Sequence, residues 1–110
     1  MDCLIIKSPY IDLILSGVKT WEIRGSRTHK RGKIGLIKSG SGTIIGEVEL
    51  VDCVGPLSLQ EFLNNKNKHQ SSSKTLMYKK TYAWVIKNPK KFDVAKKYKH
   101  PMGAVIWVKV

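Results

Sequence analysis

Short apolar runs alternate along the chain with stretches rich in glycine, proline and lysine. The runs have the length, the alternation and the content of branched and aromatic side chains that predict β-strands. They lie at residues 3–7, 19–24, 33–39, 43–54, 81–88 and 103–110. The turn SGSG at 39–42 predicts a hairpin, and Gly46 inside the longest run indicates a bend or a bulge.

Between the first two predicted strands, SPYIDLILSG carries the signals of a short helix. Ser8 is placed to cap the free amides, Pro9 suits the first helical position, and Gly17 suits a left-handed turn that ends the helix. Helical spacing predicts one inward-packing face, made of Tyr10, Leu13, Ile14 and Gly17.

The segment PLSLQEFLNN predicts a second short helix, because Ser58 and Glu61 have the spacing of a capping box. The polar residues 65–74 that follow are the most loop-like part of the chain, and we assign no chemistry to them. Residues 89–101 are basic, have a proline at each end and are expected to connect the last two strands.

The order of these elements predicts an α+β fold. Strands dominate, two short helices interrupt them, and there is no repeated strand–helix–strand rhythm of the kind that parallel α/β proteins show. This pattern favours a curled sheet or a small β-barrel with flanking helices. A chain of 110 residues suits one hydrophobic core, so residues 1–110 are predicted to form a single domain.

The net positive charge of the chain indicates which kinds of partner it attracts. Twenty lysine and arginine residues against eight aspartate and glutamate residues give a formal net charge of +12. A field of this sign attracts polyanions, so nucleic acid is the leading partner class, ahead of an anionic membrane. Lysine clusters suit the neutralisation of phosphates, whereas the arginines all fall within residues 24–31 and mark one region. A solvated lysine surface without a partner is the plainer interpretation.

Other features argue against several classes of protein. Cys3 and Cys53 are the only cysteines and lack CxxC spacing or paired histidines, so we predict buried free thiols and neither a metal site nor a cofactor. No segment reaches the roughly 20 apolar residues of a membrane span, and the charged start of the chain lacks a signal-peptide core. We therefore expect a cytoplasmic protein that does not associate with a membrane.

The segment SGVKTWEIRG at residues 16–25 holds a lysine, a carboxylate and a guanidinium within six residues. On a regular strand, one side carries Thr20, Glu22 and Arg24, and the other carries Trp21 and Ile23. Lys19 is an odd number of residues before Glu22 and Arg24, so a regular strand would place it on the opposite side. It can join them only from the turn before the strand or through a bulge. If desolvated together, Glu22 could bind an amino group or accept a proton, and Lys19 could act as a nucleophile or proton donor. An ordinary exposed ion pair is the alternative.

Gly17, Lys19, Glu22 and Arg24 match a GxKxxExR signature, and through it the chain resembles the ASCH family, named for homology to a transcription coactivator. The similarity extends to the helix before the signature, to TIIGEVELVD, and to YAWVIKNPKKF leading into KHPMGAVIWVKV, which together cover nearly the whole chain. The resemblance implies a PUA-like fold, a small β-barrel with flanking short helices that is related to RNA-binding modules. It also implies a ligand cleft between the barrel and a helix, lined by the signature residues.

The resemblance leaves enzymatic activity open. One branch of the family hydrolyses the acetyl amide of N4-acetylcytidine with a lysine, a threonine three residues later and a glutamate from a later segment, and another has been described as a ribonuclease. Lys19 matches the lysine, but Glu22 stands at the threonine position and Thr20 is one residue along from Lys19. The candidates for the later glutamate are Glu47, Glu49 and Glu61.

Side chains outside the signature are secondary candidates. Around the SGSG turn, Lys38, Ser39 and Ser41 could present a cation and backbone amides to a phosphate, although the turn lacks the ending of a P-loop. His100 is a candidate acid or base at the edge of the cleft, with a solvent-exposed loop histidine as the alternative.

Aromatic residues on the later strands are candidate stacking surfaces for a base. Tyr82, Trp84 and Trp107 could stack in this way, but aromatic side chains on strands usually belong to the core, which is the favoured interpretation for the two tryptophans. Trp21 fits both interpretations equally.

We predict a PUA-like ASCH domain that binds RNA or a modified nucleoside, with DNA as a further candidate ligand. The predicted ligand-binding residues are Lys19, Trp21, Glu22, Arg24, Lys38 and Ser39. The alternative is a hydrolase of a nucleic-acid-derived substrate, either an amidohydrolase or a ribonuclease, with Lys19 and Glu22 as catalytic residues. A protein-interaction domain with an acidic partner is a third hypothesis, and the oligomeric state stays open.

Overall fold

A computed structural model describes residues 1–110, and its six strands form one mixed sheet that curls into a half-barrel. The strands are β1 (Asp2–Ile6), β2 (Trp21–Arg24), β3 (Gly32–Lys38), β4 (Thr43–Val54), β5 (Tyr82–Lys97) and β6 (Trp107–Lys109). The short helices are α1 (Tyr10–Leu15), α2 (Leu59–Asn64) and α3 (Lys66–His69). The predicted α+β architecture with flanking short helices is therefore confirmed.

The topology of the sheet brings distant parts of the chain to one edge. The strand order is β2-β5-β4-β3-β1-β6, with β1 and β3 parallel and every other pair antiparallel. β3 and β4 form the hairpin predicted across SGSG. Because β1 and β3 run in the same direction, their carboxyl ends lie side by side, and the Ser39 amide donates a hydrogen bond to the Ile6 carbonyl at 3.0 Å.

β5 is longer than the sequence predicts. Residues 89–97 do not form a connector but continue pairing with β4, as far as Lys97 opposite Thr43. Pro89 is tolerated there because the register between the strands shifts at this point. Glu47 lies opposite Lys90 and Glu49 lies opposite Lys87, so β5 has one more residue than β4 in this interval. The prediction was wrong because pairing with a long partner strand outweighed the local signals of charge and proline.

Glycine and strand length also shape the rest of the sheet. The register between β4 and β5 shifts between Ile44 and Gly46, which confirms the predicted irregularity at Gly46. A side-chain carbon at Gly46 would lie 2.7 Å from the Lys90 carbonyl oxygen and 2.5 Å from the Leu15 side chain, so the close approach of the β5 backbone requires glycine. The strand expected at 103–110 is shorter than predicted, because only β6 is paired.

α1 is rotated relative to the predicted amphipathic face. Ile11 and Ile14 are buried against the sheet, whereas Tyr10 is partly exposed. The Ser8 hydroxyl donates to Asp12 Oδ2 at 2.7 Å and does not cap the amides, so both of these predictions were wrong in detail. Gly17 has the expected left-handed backbone, with φ of 85°. The rotation leaves Tyr10 free to line a cavity.

The second helical region is only partly as predicted. α2 begins with the expected capping box, in which the Glu61 amide donates to Ser58 Oγ at 3.1 Å and the Ser58 amide donates to Glu61 Oε1 at 2.9 Å. The segment 65–74, predicted as a loop without chemistry, contains α3 and the fully buried His69. The polar composition of this segment gave no sign that His69 is buried, because the burial depends on packing against α2.

The core fills the concave side of the sheet beneath α1. Tyr82 and Trp84 belong to this core, which confirms the core interpretation, and Trp107 stacks on Trp84 at its margin with ring centroids 5.8 Å apart. Cys3 is a buried free thiol as predicted, but Cys53 is only half-buried. No helix is both long and apolar enough to cross a membrane.

Candidate ligand-binding cleft

A cavity of about 350 Å³ opens where the carboxyl ends of β1 and β3 approach β2. The end of β1 supplies Ile5 and Lys7, the turn after β3 supplies Ser39, and α1 supplies Tyr10. The segment between α3 and β5 closes the other side with Ser71, Met77, Tyr78 and Thr81. We call this cavity the cleft. Its walls are mostly apolar, and charged side chains lie at its base.

The charged base of the cleft consists of Lys19, Glu22 and Arg24. Glu22 Oε2 accepts two hydrogen bonds from Arg24, from Nε at 2.9 Å and from Nη2 at 2.7 Å. Arg24 Nη2 also donates to the Ile5 carbonyl at 2.9 Å, which ties β2 to the end of β1. Charge-assisted bonds of this geometry are directional, so they fix the orientation of the Glu22 carboxylate.

Lys19 reaches the base of the cleft from a position outside β2. β2 begins at Trp21, so Lys19 lies in the turn before it, which is one of the two routes that strand parity allowed. The side chain is almost completely buried, and Nζ donates to the His69 carbonyl at 2.6 Å. Nζ lies 3.6 Å from Glu22 Oε1, close enough for strong charge attraction but too long for a good hydrogen bond.

The electrostatic environment makes Lys19 an unusual lysine. Burial lowers the pKa of Lys19 below its ordinary value, and the nearby Arg24 charge lowers it further. The Glu22 carboxylate opposes the shift without cancelling it. Lys19 therefore gives up a proton more readily than a lysine side chain in water.

His69 is the supporting residue that sequence reasoning missed. The Ser71 amide donates to Nδ1 at 2.9 Å, so Nε2 carries the proton and donates to the Phe62 carbonyl at 2.7 Å. The ring stacks on Phe62 with centroids 4.1 Å apart. Burial lowers the pKa of His69, which favours the neutral ring that both hydrogen bonds require. The fixed ring holds the backbone carbonyl that binds Lys19.

Tyr78 forms a wall of the cleft by packing closely on Gly25. A side-chain carbon at Gly25 would lie 2.6 Å from the Tyr78 ring, so the absence of a side chain lets the ring close over the end of β2. Tyr78 and Tyr10 are both partly exposed and both line the cleft. The sequence analysis named neither tyrosine as a site residue, because packing between segments far apart in the chain brings both to the cleft.

The structure brings together four of the six predicted ligand-binding residues. Lys19, Glu22, Arg24 and Ser39 line the cleft. Trp21 does not, because it is buried with Leu57 and Ala83 on the other face of β2. Lys38 is exposed beside the cleft and does not line it.

The carboxylates suggested by the amidohydrolase branch lie elsewhere. Glu61 is committed to the capping box of α2, and Glu47 pairs with Lys33 at 3.8 Å. Neither these two nor Glu49 lines the cleft, so Glu22 is its only carboxylate. No group of three histidine, cysteine, aspartate or glutamate side chains is placed to hold a metal ion.

The free atoms at the base of the cleft define what it can bind. Arg24 occupies Glu22 Oε2, which leaves Oε1 as an acceptor beside the Lys19 ammonium, a donor. An acceptor next to a donor complements a planar ligand that carries one donor and one acceptor side by side, such as an amide or the edge of a nucleobase. The partly exposed tyrosines offer flat surfaces for such a ring.

Fold and site together define a PUA-like domain with a charged cleft. A family model described as the ASCH domain matches residues 4–96, and the chain belongs to this family. The resemblance to the ASCH family is thus confirmed.

Solved structures agree with this assignment of the fold. The ASCH protein of Zymomonas mobilis superimposes with a TM-score of 0.69 at 15% identity, over 82% of this chain and 68% of that one. A serine-to-alanine variant of the Zymomonas mobilis protein gives 0.68 at 16% identity, over 82% and 69%. A tyrosine-to-phenylalanine variant gives 0.66 at 16%, over 84% and 75%. No curated protein matches the chain.

Proposed function

We propose that this ASCH domain binds RNA or a modified nucleoside in the cleft. The observation that carries the proposal is the desolvated Lys19–Glu22–Arg24 cluster at the base of an open cavity. Buried ion pairs contribute little net stability compared with apolar side chains of similar volume, so their presence at a cavity favours a role in recognition.

Each charged residue has a distinct role in this proposal. Glu22 Oε1 accepts a hydrogen bond from a base amino group or a ribose hydroxyl, and Lys19 donates to a neighbouring oxygen or ring nitrogen. Arg24 orients Glu22, and its Nη1 forms no hydrogen bond within the protein, which leaves it available to a ligand oxygen.

The lysine-rich half of β5 supplies the long-range attraction. Lys90, Lys91, Lys96 and Lys97 are exposed, and none of them forms an ion pair with a carboxylate. A group of exposed lysines without ion-pair partners attracts the phosphate backbone without reading its sequence.

Titration with unstructured RNA and with N4-acetylcytidine tests the proposal. We expect Glu22→Gln to lose binding of the preferred ligand, while the matched change Glu49→Gln, outside the cleft, retains it. RNA affinity should fall steeply between about 50 and 200 mM salt because counterions are released on binding. Wild-type binding by a folded Glu22→Gln variant, or RNA affinity that does not depend on salt, would contradict the proposal.

Hydrolysis is the second candidate function, and the lowered pKa of Lys19 favours it. An uncharged Lys19 could take a proton from the water that attacks an amide carbonyl and pass it to the departing nitrogen, as a general base and then a general acid. Product analysis after incubation with N4-acetylcytidine, or with unstructured RNA for a ribonuclease, tests this candidate. Lys19→Met should abolish turnover, and absence of product at high protein concentration favours binding alone.

A further inference from the structure

A second depression, of about 470 Å³, adjoins the cleft. Ile5, Ser39 and Val105 line both spaces, so the two lie next to each other, and we call the pair of spaces the trough. Ser39 lies at the boundary between them. The depression lies between the turn after β3 and the segment that follows β5, away from the Lys19–Glu22–Arg24 cluster.

Tyr98 and His100 form a fixed aromatic pair in this depression. Their ring centroids lie 5.7 Å apart at an angle of 61°. His100 Nε2 lies 2.8 Å from the Ala104 carbonyl, which can only accept, so Nε2 carries a proton. Tyr98 Oη lies 2.7 Å from Nδ1 and donates to it when the histidine is neutral. Tyr98 also packs against the core cluster of Cys3, Ile37 and Ile44, so the pair is held from two sides.

The boundary of the two spaces is polar and positively charged. Ser39 Oγ forms no hydrogen bond with the protein, and the exposed Lys38 precedes it. Lys97 and Lys99 flank Tyr98 in the chain, and Lys97 and Lys38 pair with the same residue of β4, Thr43. No carboxylate forms an ion pair with these three lysines. Flat side chains combined with unpaired cations are the elements of a single-strand binding site.

We propose that the trough binds single-stranded RNA across two successive nucleotides. One base occupies the cleft, the next base lies against Tyr98 and His100, and the phosphate between them contacts Ser39 and Lys38. This inference rests on the proposed function of the cleft and specifies its ligand as a strand of RNA, in preference to a free nucleoside. It also gives His100, which does not line the cleft, a place in recognition.

The test compares the four RNA homotetranucleotides with the four free nucleosides, titrated into the whole chain and followed by NMR or calorimetry. We expect at least one tetranucleotide to bind more tightly than its nucleoside. Tyr98→Leu keeps apolar packing but removes the stacking face, and it should weaken tetranucleotide binding roughly 5- to 150-fold, the range typical of one stacked base. Nucleoside binding in the cleft should change little. Phe92→Leu is the matched control, because Phe92 packs on the same core cluster but does not line the depression.

His100→Ala provides a second variant that does not depend on core packing, since His100 is exposed. A loss of tetranucleotide affinity in both variants, with Phe92→Leu unaffected, supports the inference. Unchanged tetranucleotide affinity in folded Tyr98→Leu and His100→Ala, with binding still lost in Glu22→Gln, overturns the two-nucleotide site and leaves the cleft proposal standing. If wild-type protein binds neither tetranucleotides nor nucleosides, both proposals fail.

Discussion

The cleft and the outer half of β5 both carry positive charge, but they hold it in opposite environments. Lys19 is 4% exposed and fixed between the His69 carbonyl and Glu22. Lys90 and Lys91 are exposed on β5 and form no ion pair. Charges out of water act strongly over a few ångströms, whereas solvated charges act weakly and are screened by salt. The first arrangement suits recognition of one chemical group, and the second suits attraction of any polyanion.

Removing the carboxylate of the cleft should have the largest effect on stability. Glu22→Ala leaves Lys19 and Arg24 without their counter-charge, and breaking a buried pair typically costs about 3 to 5 kcal/mol. Denaturant unfolding measures this cost. Asp52→Ala, which breaks the exposed pair with Arg31, should cost less than about 1 kcal/mol. Equal costs would show that the charges of the cleft are as solvated as those of the surface.

Two lysine substitutions with the same change in charge should affect RNA binding differently. Lys19→Met should weaken RNA binding about 10- to 100-fold, as expected when a hydrogen bond from a charged donor is removed. Lys91→Met on β5 should weaken it only a few-fold at low salt and have no effect at high salt. Fluorescence anisotropy measures both affinities, with circular dichroism to confirm folding. Similar effects of the two variants would remove the distinction between a recognition site and an attracting surface.

His69 should make the stability of the cleft region depend on pH. Its pKa is lowered in the folded protein by burial, with Lys19 and Lys66 adding to the shift, so the unfolded chain binds the proton more readily. The contribution of neutral His69 is complete above the unfolded pKa of about 6.5 and is lost as the pH falls towards the lowered folded value. The loss cannot exceed about 1.4 kcal/mol per pH unit for one proton.

Unfolding free energies between about pH 5 and pH 7.5, a range that spans the ordinary pKa of histidine, measure this dependence. The difference in slope between wild type and His69→Asn isolates the histidine from the other titrating groups. His29→Gln is the control for removal of a histidine, because His29 is exposed. A wild-type slope that survives in the His69→Asn variant would contradict the assignment.

The smallest effect is expected from the outer lysines of β5. Replacing Lys90 and Lys91 together by alanine should reduce the slope of log affinity against log salt by about one unit for each phosphate that the protein no longer neutralises. Affinity at high salt should hardly change. Lys109→Ala, on β6 at the other edge of the sheet, is the control. An unchanged slope in the double variant would show that the surface that attracts RNA does not include these two lysines.

The parts of the fold that were predictable depend on near neighbours in the chain. The capping box of Ser58 and Glu61 and the left-handed turn at Gly17 are fixed within a few residues, and both were predicted. The side of β2 shared by Glu22 and Arg24 follows from the period of a strand. The continuation of β5 past Pro89 was not predicted, and the predicted inward face of α1 was wrong in detail, because each is selected by partner strands far away in sequence.

The sequence alone determined the charged trio, its order around Trp21, the excess of lysine and the alternation that gives a curled sheet with short helices. Tertiary structure decided that the trio is desolvated. Lys19 is bound by a carbonyl 50 residues away and Arg24 by one 19 residues away. The physical reason is that a charge becomes chemically distinctive only when other segments exclude water from it, and those segments are brought there by the pairing of the sheet.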